Sequence, residues 1–181
     1  MKNPNLYSLQ LKFNRYKLSY QLLDDQTIQL GGIKGLKSLK LYYIFIPLFI
    51  GLTIVSFGLV LDFILIEISG AVFLLYAAYG TTVVKRKIAL NKDIKILKNG
   101  ELLLTQDKQT SILTPKNITD YKINIELVGK ETYEGRLTII DSDNNEFFIL
   151  GLFDTEKKML EEDLEYIKEY IKLKLNTTNT Q

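Results

Sequence analysis

The chain of 181 residues contains no cysteine and no histidine. Without cysteine there is no disulfide and no thiolate nucleophile, and without histidine there is no imidazole base. Ser-His-Asp and Cys-His catalysis are excluded, and most zinc sites go with them. A glycine-rich phosphate loop of the P-loop or dinucleotide-binding kind is also missing. The formal net charge is only +2, but it conceals an asymmetry. Residues 1–98 carry a net +8 and residues 99–181 a net −6.

The basic half holds one long apolar block, residues 41–84. As a single helix it would be about 66 Å long, against a hydrocarbon core of about 30 Å. Two spans, residues 41–61 and 64–84, fit instead, with Asp62 at the tip between them. The flanks set the orientation. Lys34, Lys37 and Lys40 precede the first span, and Lys85, Arg86 and Lys87 follow the second. The positive-inside rule places these six, and with them both termini, on the cytoplasmic side. Tyr42, Tyr43, Tyr76 and Tyr79 fall near the same interface, where amphipathic rings belong. Basic charge beside a bilayer attracts anionic lipid, so membrane lipid rather than nucleic acid is the expected partner. The six cations are the candidate membrane-surface contacts.

Within the spans, Glu67 reads as a side chain reaching the outer headgroups or as an intramembrane ion site. Pro47 removes a backbone donor from the first helix. Gly51, Ser56, Gly58, Gly70, Ala77, Ala78 and Gly80 permit close helix approach, within the hairpin or between copies.

Outside the block, the N-terminal residues alternate. Tyr7, Leu9, Leu11 and Phe13 are apolar, then Tyr16, Leu18, Tyr20 and Leu22 in shifted phase. This period of two predicts strands with a turn near Asn14-Arg15, and Asp24-Asp25 suits a second turn. The competing helical stripe is Leu6, Leu9, Phe13, Tyr16, Tyr20 and Leu23, which would leave Tyr7, Leu11, Leu18 and Leu22 on the far face. After the second span, residues 93–97 and 102–105 flank Asn99-Gly100, a hairpin signal. Residues 121–127 alternate, and 136–140 and 146–150 flank the polar turn 141–145. Then the period changes. Leu160, Leu164, Ile167 and Ile171 form the stripe of an amphipathic helix, with Asp154 or Thr155 as candidate cap.

Two acidic groups of residues invite a chemical reading. Asp141-Ser142-Asp143-Asn144-Asn145 begins like a calcium loop, but Glu146 stands where glycine is needed and Leu152 where a bidentate glutamate is needed. A hairpin turn is the better reading. Glu131 and Glu134, between Gly129 and Gly135, sit at an expected hairpin tip, a poor place for acid–base work.

Antiparallel strands, then Leu137-Thr138-Ile139-Ile140-Asp141-Ser142-Asp143-Asn144-Asn145-Glu146-Phe147-Phe148-Ile149, then one amphipathic helix: this order resembles a pleckstrin-homology-like domain. With the hairpin attached, the chain resembles bacterial two-span membrane proteins that carry such a domain. The resemblance implies an α+β fold and a bacterial inner-membrane location. The expected division is N-terminal strands over 1–33, free to join the soluble domain's sheet; a transmembrane hairpin over 34–87; a pleckstrin-homology-like domain of antiparallel strands with a C-terminal helix over 88–174; and a polar, disordered tail over 175–181. Of the basic residues near the family's lipid-binding hairpin, Lys95 and Lys98 are present and the partner arginine is missing; Lys92, Lys95 and Lys98 read as solvated surface rather than membrane contacts. The function this points to is a non-catalytic binding module at the inner membrane face. It would recognise a lipid headgroup or a membrane protein, as a homo-oligomer or with another chain, with no cofactor and no metal. The alternative is an accessory or immunity subunit of a larger membrane complex.

Overall fold

A computed structural model describes residues 4–24, 27–31, 40–91, 93–106 and 109–177, the side chains of residues 87, 106 and 109 apart. The chain forms two compact units: Met1–Gly32 with Leu90–Gln181, and Ile33–Ala89.

In the first unit the chain opens with a helix, α1 (Leu6–Arg15), where alternation predicted strands. The Asn5 side chain caps it, accepting from the Ser8 N–H at 2.8 Å. Leu9 and Phe13, four apart, are buried, whereas Tyr7 and Leu11 are exposed. Those two exposed apolar residues created the false period of two. Lys17 ends the helix at a left-handed φ of 53°, and the Leu18 N–H bonds the Phe13 carbonyl at 2.9 Å. The second half of the segment is extended, as expected: β1 (Tyr20–Leu22) and β2 (Ile28–Leu30) pair antiparallel. The Asp24 carboxylate accepts the Thr27 N–H in the turn between them, and Asp25 lies outside the described residues.

Both apolar helices separate β2 from β3 (Ile94–Lys98) in sequence, yet the two strands are neighbours, Gln29 opposite Ile96. The sheet continues through β4 (Glu101–Gln106) and β5 (Gln109–Leu113), in order β1-β2-β3-β4-β5. Gly100, at φ 81°, makes the tight β3–β4 turn. A second sheet holds β6 (Ile118–Leu127), β7 (Tyr133–Asp141) and β8 (Glu146–Asp154), in that order.

The last helix, α4 (Lys157–Asn176), begins after Glu156, which caps it with no side-chain hydrogen bond. Asp154 instead accepts the Glu156 N–H at 3.1 Å. Its stripe residues Leu160, Leu164, Ile167 and Ile171 are buried and share one core with Leu9, Phe13, Ile28, Leu97 and Leu137. Gly135 on β7 lets the helix approach, since a Cβ there would overlap Leu164 and Leu160. The helix also takes up the start of the expected tail: Leu175 is in the core.

In the second unit, α2 (Leu41–Leu61) and α3 (Ile64–Leu90) are long and apolar enough to cross a membrane. The helix α3 runs past the expected end at residue 84. Only 17% of the most apolar stretch of each is buried, leaving Phe49, Val60 and Leu75 widely exposed. A core helix of a soluble protein would be mostly covered. The tip is sharp: Asp62 ends α2 at φ 51°, and the Phe63 N–H returns to the Gly58 carbonyl at 3.1 Å. Pro47 has no N–H for the Tyr43 carbonyl, and the preceding turn, Leu41–Phe45, is wound as a π-helix. That carbonyl lies against Gly80, where no Cβ would fit. Gly51, Gly58 and Gly70 are likewise closed by Leu74, Glu67 and Val55. Packing within the hairpin therefore accounts for these four glycines.

Candidate functional site

The expected membrane-surface cations fall at the ends of the apolar helices. Lys40 immediately precedes α2, and Lys85 and Arg86 lie in the last turns of α3; all three are exposed. Lys34 and Lys37 lie outside the described residues, as does the side chain of Lys87. Exposed ammonium and guanidinium groups at the ends of apolar helices of this length attract anionic phosphate oxygens.

Lys95 departs from the expectation of a solvated surface cation. It alternates with Ile94 and Ile96, so the pleat turns it to the core side of β3 together with Leu97. It is 3% exposed. Its ammonium sits 5.4 Å from the centre of the Phe148 ring and has no carboxylate within 4 Å among the described residues. Burial pulls its pKa below the ordinary lysine value, and Asp93 partly opposes this. The recess that it lines with Leu18, Ser19, Gly31, Asn91 and Leu150 has about 10 Å³ of enclosed space. That is room for one water, not for a headgroup. Asn91 closes the recess by exchanging two hydrogen bonds with Gly151 on β8, at 3.0 and 3.3 Å.

The densest charged cluster joins α1 to α4. Lys12, Arg15 and Tyr16, at helical spacing, converge on Asp163, whose side chain is 7% exposed. Lys12 pairs with one carboxylate oxygen; Tyr16 donates to the other at 2.9 Å, and Arg15 reaches it at 3.4 Å. Arg15 also bridges to Asp154 at 2.8 Å. Burial, then the bond to Asp163, drives the Tyr16 pKa far above its ordinary value. The Lys12 ammonium lies 4.7 Å from the Tyr166 ring centre, and the Tyr166 hydroxyl accepts the Asn5 N–H at 2.8 Å. The cluster clasps α1 to α4, each acidic oxygen facing a hydrogen-bond donor. Sequence reasoning passed over it. The available signal was Asp163 itself, an acid beside Leu160 and Leu164 on the apolar stripe.

The other acidic groups have structural roles. The Asp141 carboxylate closes the β7–β8 turn, accepting from the Asp143 and Asn145 backbones and the Asn145 side chain at 2.8–2.9 Å. The Asn145 side chain, chiefly, holds its pKa below the carboxylate range. Glu134 is not at a hairpin tip with Glu131. It lies buried in β7 and bonds the Arg136 Nε at 2.6 Å, while Glu131 is exposed in the loop. Glu67 is half-buried against Gly58 in the first turn of α3. Among the described residues no group of three or more acids could hold a metal.

Compared with known proteins, the chain matches no family model and no curated sequence.

Proposed function

We propose that this chain is an integral membrane protein. Its two-helix hairpin would hold a pleckstrin-homology-like recognition domain against the cytoplasmic face of a bacterial inner membrane. The domain would engage lipid headgroups or a membrane protein there, without catalysis. One observation carries the reading: β2 and β3 are adjacent in one sheet although both apolar helices lie between them in sequence. A hairpin inserted between neighbouring strands tethers its domain at two points, which suits a module that works at the surface rather than at a distance.

Other features support the parts of this reading. The cations flanking the helices favour the cytoplasmic side. The run of antiparallel strands β2–β5, then β6–β8, then α4 follows the order of the pleckstrin-homology-like fold. The non-catalytic reading is supported by the acids being engaged in a turn and in ion pairs, and by the absence of histidine and cysteine, which removes their chemistries alone.

The test is purification of the full chain in mild detergent, with mass spectrometry of the lipids and proteins that come with it. Anionic lipid should be enriched, and the enrichment lost when Lys85, Arg86 and Lys87 are replaced by glutamine. A stoichiometric foreign protein with no lipid preference would instead make the chain an accessory subunit.

A further inference from the structure

The strand β6 is ten residues long and forms one edge of its sheet; no strand pairs with its outer side among the described residues. Such an edge offers backbone donors and acceptors to another strand; at its start the Asp120 carboxylate accepts the Tyr121 N–H at 2.7 Å. Its outward side chains are self-complementary in charge about Asn124. Along the outward face run Lys122, Asn124 and Glu126, all exposed. Along the inward face run Tyr121, Ile123 and Ile125, all only half-buried, followed by Leu127, which is 59% exposed. We propose that β6 is the dimer interface of this protein. Two copies would pair antiparallel about Asn124, joining two three-stranded sheets into one of six strands.

The register follows from the side chains. A two-fold axis perpendicular to the sheet keeps core faces on one side, so each residue must meet one of the same face. Centred on Asn124, the pairing sets Lys122 opposite Glu126 of the partner subunit, and Glu126 opposite Lys122 of the partner subunit. On the inner face it sets Ile123 opposite Ile125, and Tyr121 opposite the exposed Leu127. Opposite charges directly across a ladder stabilise it and like charges oppose it. Of the other registers, centring on Ile125 sets Glu126 opposite Asn124 and Lys122 opposite Val128, so no opposite charges meet. Centring on Ile123 opposes Asp120 to Glu126 twice, and centring on Lys122 opposes that residue to itself. The preferred register also uses only 121–127, clear of the irregularity between Ile118 and Asp120. The existing partners, Glu146 for Lys122 at 3.2 Å and the Asn124 amide for Glu126 at 2.7 Å, are surface contacts between exposed side chains, so they compete weakly. The inference rests on this sheet alone and does not depend on the membrane reading.

The cysteine-free sequence makes the test direct. In the full chain, Asn124→Cys places two thiols on the axis, with Cα atoms about 4.5–5.5 Å apart, within disulfide reach. Asp120→Cys places them about 27 Å apart, at about 3.4 Å per residue over eight residues. Under mild oxidation in intact cells, Asn124→Cys should form a homodimer and Asp120→Cys should not. Lys122→Glu or Glu126→Lys alone should abolish that cross-link, and the double exchange should restore it, while each variant melts like the parent. Equal cross-linking at both cysteines overturns the proposal. So does cross-linking that ignores the charge exchanges, a disulfide to a different protein, or no cross-link at all.

Discussion

Replacing Asp163 by alanine should release α1 from α4. The carboxylate is buried and takes three donors, from Lys12, Arg15 and Tyr16. Two of these keep a substitute. Arg15 retains Asp154 at 2.8 Å, and the Tyr16 hydroxyl can turn to the same residue at 3.2 Å. Arg15 is also 42% exposed, so its share of the loss falls in the surface range of about 0–1 kcal/mol. Lys12 is left half-buried without its counter-ion, and losing a charge-assisted bond of this kind costs about 1.5–3 kcal/mol. The total is about 1.5–4 kcal/mol, which lowers the melting temperature by roughly 5–15 °C in a domain of this size. The assay is circular dichroism of the purified full chain, with limited trypsinolysis at the exposed Lys17 reporting the release of α1. Asp163→Asn, which keeps an acceptor, should lose less. A double-mutant cycle with Lys12→Met should show coupling. Unchanged melting of the alanine variant, or strictly additive losses in the cycle, would refute the reasoning.

Three further outcomes follow from named contacts. Lys95→Met should stabilise the domain at neutral pH by about 1–3 kcal/mol, since it removes a buried cation with no ion pair. Because the folded pKa of Lys95 lies below the unfolded value of 10.5, the folded state binds fewer protons in that window. Stability therefore rises with pH there. The advantage of the methionine should shrink as the pH climbs towards 10.5 in parallel melts, and a destabilised variant would contradict the assignment. Gly135→Ala should cost about 1–3 kcal/mol by pushing α4 off β7. Combining it with Leu164→Ala should cost less than the sum in denaturant titrations, because the second change vacates the space the new Cβ needs.

The elements that sequence reading found were those with one unambiguous period. The stripe Leu160, Leu164, Ile167 and Ile171 could only be a helix face, and all four are buried. Asn99-Gly100 fixed the β3–β4 turn. The end of the first apolar helix at Leu61 was legible because Asp62 interrupts the apolar run. The reading failed where two periods coexisted. Residues 7–13 satisfy alternation, but the Asn5 cap and the docking of Leu9 and Phe13 into the core decide for a helix. The strand β5 was missed because Gln-Thr-Ser-Ile-Leu carries little apolar pattern; it is held by pairing with β4. Lys95 was read as surface because lysines usually are, and only the pleat set by Leu97 shows that it faces inward. The clasp on Asp163 joins residues almost 150 positions apart, and local pattern carries no information at that range.

The central claim is that the two flanks of one membrane hairpin build a single domain. Single cysteines in the cysteine-free chain, probed with a membrane-impermeant maleimide on intact cells, test it most directly. Asp62→Cys, at the tip, should react without permeabilisation. Tyr7→Cys on α1 and Ser142→Cys in the β7–β8 turn should react only after it, and alike. Reaction of Tyr7→Cys and Ser142→Cys from opposite sides would contradict the account, because β2 and β3 could not then share a sheet.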